Sequence, residues 1–331
     1  MHRRTFLAGA VTALSADGLM PGSATAAGGS SSALDEEFLT LLTAANEAQV
    51  PLVLDSYQNS GDSVRTVARK GRRLVSAYVW NKSTRHHDDA LLGPLRTLSD
   101  RLKSTQHDDG LYDSGNLHSP PDSAFAIQDL CLMWALLDAD DQPATEPHRA
   151  ILERILRKAG PALAAGGVHT PNHRWEISAA LARTHHLFPD RRYSARIDDW
   201  LDEGIDATPD GIYSERSSTY AAEVTNPCLL TIAWLRNRPE LIGFVRRNLA
   251  ATLFHLEPNG EVETVASGGR TRRDCGTSGG TSPSSASWLC SMGTAGSRLL
   301  PRTSNADGPA SSATSWRRCW SGLSWAPSCL L

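Results

Sequence analysis

Two polar clusters interrupt a helix-patterned stretch of this chain, and their residue types suit proton transfer beside a carboxylate. The first reads Gly167-Val-His-Thr-Pro-Asn-His-Arg-Trp175 and the second Asp210-Gly-Ile-Tyr-Ser-Glu-Arg-Ser-Ser-Thr-Tyr220. Between them they offer the Asn172 amide, the His173 imidazole, the Arg174 guanidinium and the phenols of Tyr213 and Tyr220. Abstracting the proton next to a uronate carboxylate builds charge on that carboxylate, so a neutralising amide, imidazolium or guanidinium lowers the barrier. A tyrosinate held near such donors can take the proton, and the resulting phenol can protonate the leaving oxygen.

Asn172, His173 and Arg174 follow Pro171 and precede the apolar residues Trp175, Ile177 and Leu181. That order predicts a helix's first turn, where free amides and the dipole favour an anion. The plainer reading is a helix cap at Asn172 with His173 and Arg174 in water. Tyr213 and Tyr220 lie in a loop opened by Pro209-Asp210-Gly211, and on the plainer reading they are packing residues with bonded hydroxyls. Their neighbours Glu215 and Arg216 form either a local ion pair or substrate contacts. A third cluster runs from Tyr112-Asp113 through Asn116 and His118 to Ser119-Pro-Pro-Asp122. It combines a turn with a helix start, and Asn116 and His118 fall on no apolar stripe. His86-His87 precedes Asp88-Asp89. Adjacent residues on a helix cannot face one ion, so the pair reads as a solvated helix start and no metal or cofactor is expected.

The elements that must position these groups read as almost wholly helical. Apolar spacing predicts helices over 34–47, 62–79, 88–104, 120–138, 147–165, 172–186, 191–205, 220–237 and 239–255. Paired helices joined by short polar turns imply an all-α fold, an incomplete α/α toroid or another helical array over 34–259. The alternating segment 260–267 reads as the first strand of a β-domain. Cys131 and Cys228 lie in apolar contexts and read as core residues. Arg65, Arg69, Lys70, Arg72 and Arg73 read as a solvated basic helix face. A formal net charge of −3 argues against a nucleic-acid protein working by general phosphate attraction.

The ends differ from this body. Arg3-Arg4-Thr-Phe6-Leu7, a short apolar run and Ala24-Thr-Ala26 read as a twin-arginine export signal over 1–26. A linker over 27–33 follows, and the chain is expected outside the cytoplasm (secreted or periplasmic) without membrane insertion once the signal is removed. Residues 268–331 contain 14 Ser, 9 Gly, four of the six Cys and four of the nine Trp, but no Val, Ile, Glu, Lys, Phe, Tyr or His. Such a mixture reads as a GC-rich gene out of frame after Ser267, or else as a genuine, poorly structured tail.

Asn116-Leu-His-Ser-Pro-Pro, Thr170-Pro-Asn-His-Arg-Trp and Asp210-Gly-Ile-Tyr-Ser-Glu-Arg-Ser, in that order, resemble the heparinase II/III-like polysaccharide lyases. The resemblance covers about 90–267. It implies an incomplete α/α toroid followed by an antiparallel β-sandwich, and β-elimination on a uronate-containing glycan, so that an acidic polysaccharide is the expected partner. It further implies Asn172 or His173 as carboxylate neutraliser and Tyr220 as base and acid, with Tyr213 the runner-up. Arg174, His118 and Asn116 would line the groove. The family's β-sandwich, with its further catalytic histidine, is replaced here by the region after Ser267, which leaves the activity of this chain open. Two alternatives stand beside this reading. One is a glycoside hydrolase on a similar toroid using Asp113, Asp210 or Glu215. The other is a glycan-binding protein without catalysis.

Overall fold

A computed structural model describes residues 31–115, 117–168, 170–256 and 262. The expected export signal, the end region 268–331 and all of 260–267 except Val262 lie outside the described residues, as does Asn116. Val262 makes an isolated antiparallel bridge with Leu256.

The described chain is mostly helical. Helices α1 (Ser31–Ser56), α2 (Val64–Val79), α3 (Leu92–Thr105), α4 (Pro120–Asp140), α5 (Glu146–Ala165), α6 (Pro171–Leu187) and α7 (Arg191–Asp202) follow in order. A short helix α8 (Ser218–Tyr220) runs through a π turn (Ala221–Thr225) into α9 (Asn226–Leu235), and α10 (Glu240–Leu253) closes the series. Two-residue strands β1 (Asp113–Ser114) and β2 (Leu117–His118) form a small antiparallel hairpin between α3 and α4. Among the described residues no helix is long and apolar enough to cross a membrane.

Helix starts follow capping chemistry. Ser63, Ser119, Asp190 and Ser217 each accept a hydrogen bond from the backbone of the first turn that follows, worth about 1 kcal/mol apiece. Pro occupies the first turn of α4, α5 and α6, where its missing N–H costs nothing.

The helices form two layers. In one, the inner layer, α2, α4, α6 and α9 lie side by side, although other helices separate them along the chain; α3, α5, α7 and α10 pack on them as the second. The core runs through both layers, from Val67 and Leu74 through Leu130 and Met133 to Ile155, Trp175, Leu181 and Ile232. At Gly71, α2 approaches α4 so closely that a Cβ would sit 2.8 Å from Met133 Cε.

Three of the departures from the sequence expectation have a clear physical reason. Helix α1 continues nine residues past 47 and through Pro51, because Val50 and Val53 are buried against the core. The expected helix over 88–104 opens as a 3₁₀ turn, Asp89–Leu91, capped by Asp88. In the expected helix 220–237, Pro227 has no N–H and its ring crowds the preceding turn. The π turn just before it, closed by Asn226 N–H to Ala221 O, widens the helix there.

The basic run on α2 is solvated only in part: Arg69 is exposed, but its neighbours are held by acidic partners. Lys70 is buried, donating to Asp62 Oδ2 at 2.5 Å and to the Ser56 carbonyl at 2.7 Å, which caps the end of α1. Arg72 pairs with Asp129 at 2.8 Å and Arg65 with Asp122.

Gly110 turns the chain between α3 and the hairpin at φ 93°, and a Cβ there would lie 2.3 Å from the Lys158 carbonyl oxygen. Gly115 has φ 67° with open space around it. Urea unfolding is therefore expected to show a loss of about 1–2 kcal/mol for Gly115→Ala, the cost of a left-handed conformation alone. Gly110→Ala is expected to lose a further ~1–3 kcal/mol, because it must also push α5 away.

Candidate functional site

The first turns of α2, α4 and α6 meet at one edge of the inner layer. Arg65, near the start of α2, pairs with Asp122 in the first turn of α4 and stacks on the Phe125 ring at 3.7 Å. The Ser119 hydroxyl donates to Asp122 Oδ2 at 2.7 Å. Burial opposes the Asp122 charge, but Ser119, Arg65, Ser114 and the positive field of His173 outweigh it, holding its carboxyl below the usual carboxylate range. A cavity of about 390 Å³ opens here, lined by Ser63, Arg65, Tyr112, Asp113, Ser114 and Asp122.

On α6, Pro171 is the first helical residue and Thr170 precedes it. Asn172 is thus inside the first turn rather than a cap, and it is buried. The Thr170 hydroxyl donates to Asn172 Oδ1 at 2.7 Å, which leaves the amide NH₂ as the side chain's available donor. The Asn172 backbone N–H donates to Glu215 Oε1 at 3.3 Å, and burial raises the Glu215 carboxyl. This contact holds the loop before α8 against α6. His173 is half-buried beside these groups. Tyr220, at the end of α8, is half-buried too; its N–H is taken by the Ser217 cap, and its hydroxyl bonds no described residue.

Other expected site residues have structural duties. Arg174 does not line a groove: it is buried, donates to Glu203 Oε2 at 2.5 Å and to Asp206, and so ties α6 to the end of α7 and the next loop. Tyr213 is buried and donates to Asn226 Oδ1 at 2.8 Å; Asn226 donates to Asn248 Oδ1 at 2.9 Å, and Asn248 to the Gly211 carbonyl at 3.0 Å. That chain fastens the loop to α9 and α10, and burial pushes the Tyr213 phenol well up. Glu215 does not pair with Arg216; Arg216 is exposed at φ 48° and lines a separate cavity of about 370 Å³ with Asp210, Tyr213 and His255. The three carboxylates of the hydrolase alternative sit in three places: Asp113 on the hairpin facing histidines, Asp210 in that second cavity, and Glu215 against α6. His118 is exposed on the hairpin, its Nδ1 2.9 Å from Asp109. His86 and His87 lie in a turn rather than at a helix start. His87 is left-handed at φ 53°, the rings stack 3.8 Å apart, and His87 Nε2 meets Asp140 at 2.9 Å. The helical argument against their sharing a ligand therefore does not hold.

Beneath the edge lies a polar network that the sequence reading missed. Glu176 is fully enclosed, accepting from Gln128 Nε2 at 2.6 Å and from the Cys228 thiol at 3.2 Å. Arg183 donates to Gln128 Oε1 at 3.2 Å and to Thr231 Oγ1 at 3.0 Å. Burial drives the Glu176 carboxyl up to about 7 and raises Asp129 against the pull of Arg72 and Arg69. Cys131 and Cys228 are free and buried, as their apolar context implied. One signal was available: Glu176 and Arg183 are seven residues apart, two turns on one face of a helix that is otherwise apolar there.

No protein-family model, no curated protein and no solved structure matches this chain.

Glu176 makes stability depend on pH. Between its ordinary value of 4.5 and about 7, the unfolded chain releases this proton while the folded chain keeps it. Its favourable share is complete below 4.5 and is lost as pH rises through 7. Glu176→Gln keeps the acceptor and cannot ionise. Urea unfolding at about pH 5 and about pH 8 is expected to show the variant gaining ~1–3 kcal/mol on the parent over that interval; an unchanged difference would mean Glu176 is ionised in the fold.

Proposed function

We propose that this chain is the helical domain of a polysaccharide lyase of the heparinase II/III-like type, cleaving a uronate-containing glycan by β-elimination outside the cytoplasm. Support for the incomplete α/α toroid comes from the two-layer packing, in which chain-alternate helices α2, α4, α6 and α9 are neighbours. The observation that carries the chemical reading is the edge where the first turns of α2, α4 and α6 meet the loop before α8. That edge holds the Asn172 amide and His173, and the loop that Glu215 ties to it leads into α8, which ends at Tyr220.

In the proposed reaction the uronate carboxylate lies against the Asn172 NH₂ group and His173. Tyr220, as phenolate, takes the C5 proton. The C5–H electrons form the C4–C5 double bond as the C4–O4 bond breaks, and the Tyr220 phenol returns the proton to O4. Amide and imidazole donors stabilise the charge that grows on the carboxylate in the transition state. Tyr213 takes no part, since its hydroxyl is spent inside the loop. The remaining groove would come from Arg65, Asp122 and the hairpin, with His118 at its rim.

The test is to offer acidic polysaccharides to this chain and to one with the frame restored after Ser267, and to follow ultraviolet absorption by the unsaturated product. The frame-restored chain is expected to cleave. Tyr220→Phe should lower its rate by ~10²–10⁴, whereas Tyr213→Phe should lower stability and spare the chemistry. Saturated products would establish the hydrolase instead. Retention on an acidic polysaccharide column with no cleavage by either chain would leave a binding protein.

A further inference from the structure

We propose that the β1–β2 hairpin and the turn before it form a binding site for a divalent transition-metal ion, zinc being the best fit, with His107 Nε2, His118 Nε2 and the Asp113 carboxylate as ligands. The proposal is independent of the glycan reading.

The donors already converge. His107 Nε2 lies 2.9 Å from Asp113 Oδ2, and His118 Nε2 lies 3.4 Å from Asp113 Oδ1. All three ligand atoms fall within 4.8 Å of one another. Around a tetrahedral zinc with bonds of ~2.0–2.1 Å, neighbouring ligand atoms are roughly 3.3 Å apart. The donor atoms are therefore spaced closely enough to share one cation once the rings turn toward it.

The two rings stack 3.9 Å apart and 28° from parallel, so binding one ion in the plane of both requires the rings to rotate toward each other. Asp109 supplies the outer support that histidine ligands need. Its Oδ2 holds His118 Nδ1 at 2.9 Å, and its Oδ1 accepts from the Leu111 N–H at 2.9 Å, so the tautomer with Nε2 free is favoured.

The backbone fixes the spacing. Asp113 and His118 are direct partners across the hairpin. His107 is tied to the same turn by its N–H to Leu111 O at 3.0 Å and by Gly110 N–H to His107 O at 2.9 Å. Two imidazoles and one carboxylate select zinc-like ions over calcium or magnesium, which prefer oxygen. Three ligands leave a fourth position for water, and Asp113 also lines the 390 Å³ cavity. The other group, His86, His87 and Asp140, is weaker, because only His87 bonds the carboxylate.

The test is calorimetric titration of the full chain with zinc after chelation and alkylation of its cysteines. One equivalent with a dissociation constant in the micromolar range or tighter is expected. His107→Ala and His118→Ala should each abolish it, Asp109→Asn should weaken it ~10–100-fold, and the double change His86→Ala with His87→Ala should leave it intact. Cobalt substituted into the unmutated chain should give the strong visible bands of a four-coordinate site and X-ray absorption from two imidazole nitrogens, which decides the matter should a variant fail to fold. Absence of zinc uptake, uptake indifferent to His107→Ala and His118→Ala, or uptake of calcium alone would overturn the proposal.

Discussion

The interface of α4 with α6 is the constraint on which the rest of the structure depends. α4 packs on α2, α5 and α6, and α6 packs on α4, α7 and α9, so neither has a free polar face. Yet they carry Gln128, Asp129, Glu176 and Arg183 between them. An isolated ionised carboxylate at Glu176 would cost several kcal/mol there. The fold limits that cost by raising the carboxyl to about 7 and by giving both oxygens a partner, Gln128 on one side and Cys228 on the other. Because Cys228 is on α9 and Arg183 reaches Thr231 on the same helix, one network sets the spacing of three inner helices. An apolar core tolerates sliding; hydrogen bonds of fixed length and direction do not.

That registration aligns the helix starts above it. Asp122 in the first turn of α4 and His173 in the first turn of α6 act on each other because the two helices begin at the same level. A meeting of helix N-termini is electropositive by construction. This one is partly neutralised from within, by Asp122 and by Glu215 on the Asn172 amide. In the proposed reaction a substrate carboxylate would meet the Asn172 side chain and His173 rather than that amide, which Glu215 already occupies.

Much of the helical plan was legible because buried faces impose a period on sequence. The helices over 62–79, 120–138, 147–165 and 172–186 lie within one or two residues of α2, α4, α5 and α6. What failed has a common cause, contacts made far along the chain. Nothing local tells that Val50 and Val53 will pull a helix through Pro51, or that Arg174 will find Asp206 before it finds solvent. Tyr213 and Tyr220 were indistinguishable as letters; only the amides of Asn226 and Asn248, more than ten residues on, separate them. The His86-His87 pair was misplaced for a different reason: the two residues lie in a turn, with His87 left-handed, rather than at a helix start.

The relocation of Arg174 bears on how the proposed site would work. A guanidinium beside the substrate would attract its carboxylate as strongly before reaction as during it, and interactions equal in both states do not speed the chemical step. With Arg174 committed to Glu203 and Asp206, the permanent cation serves as a brace that orients the first turn of α6. The groups left to face a carboxylate are a neutral amide, held by Thr170 with its NH₂ available, and an imidazole. A neutral donor gains most where negative charge grows, as it does on the carboxylate when C5 loses its proton. The salt bridge that removes Arg174 from the groove is thus the same contact that would hold Asn172 and His173 in place for the step they are proposed to assist.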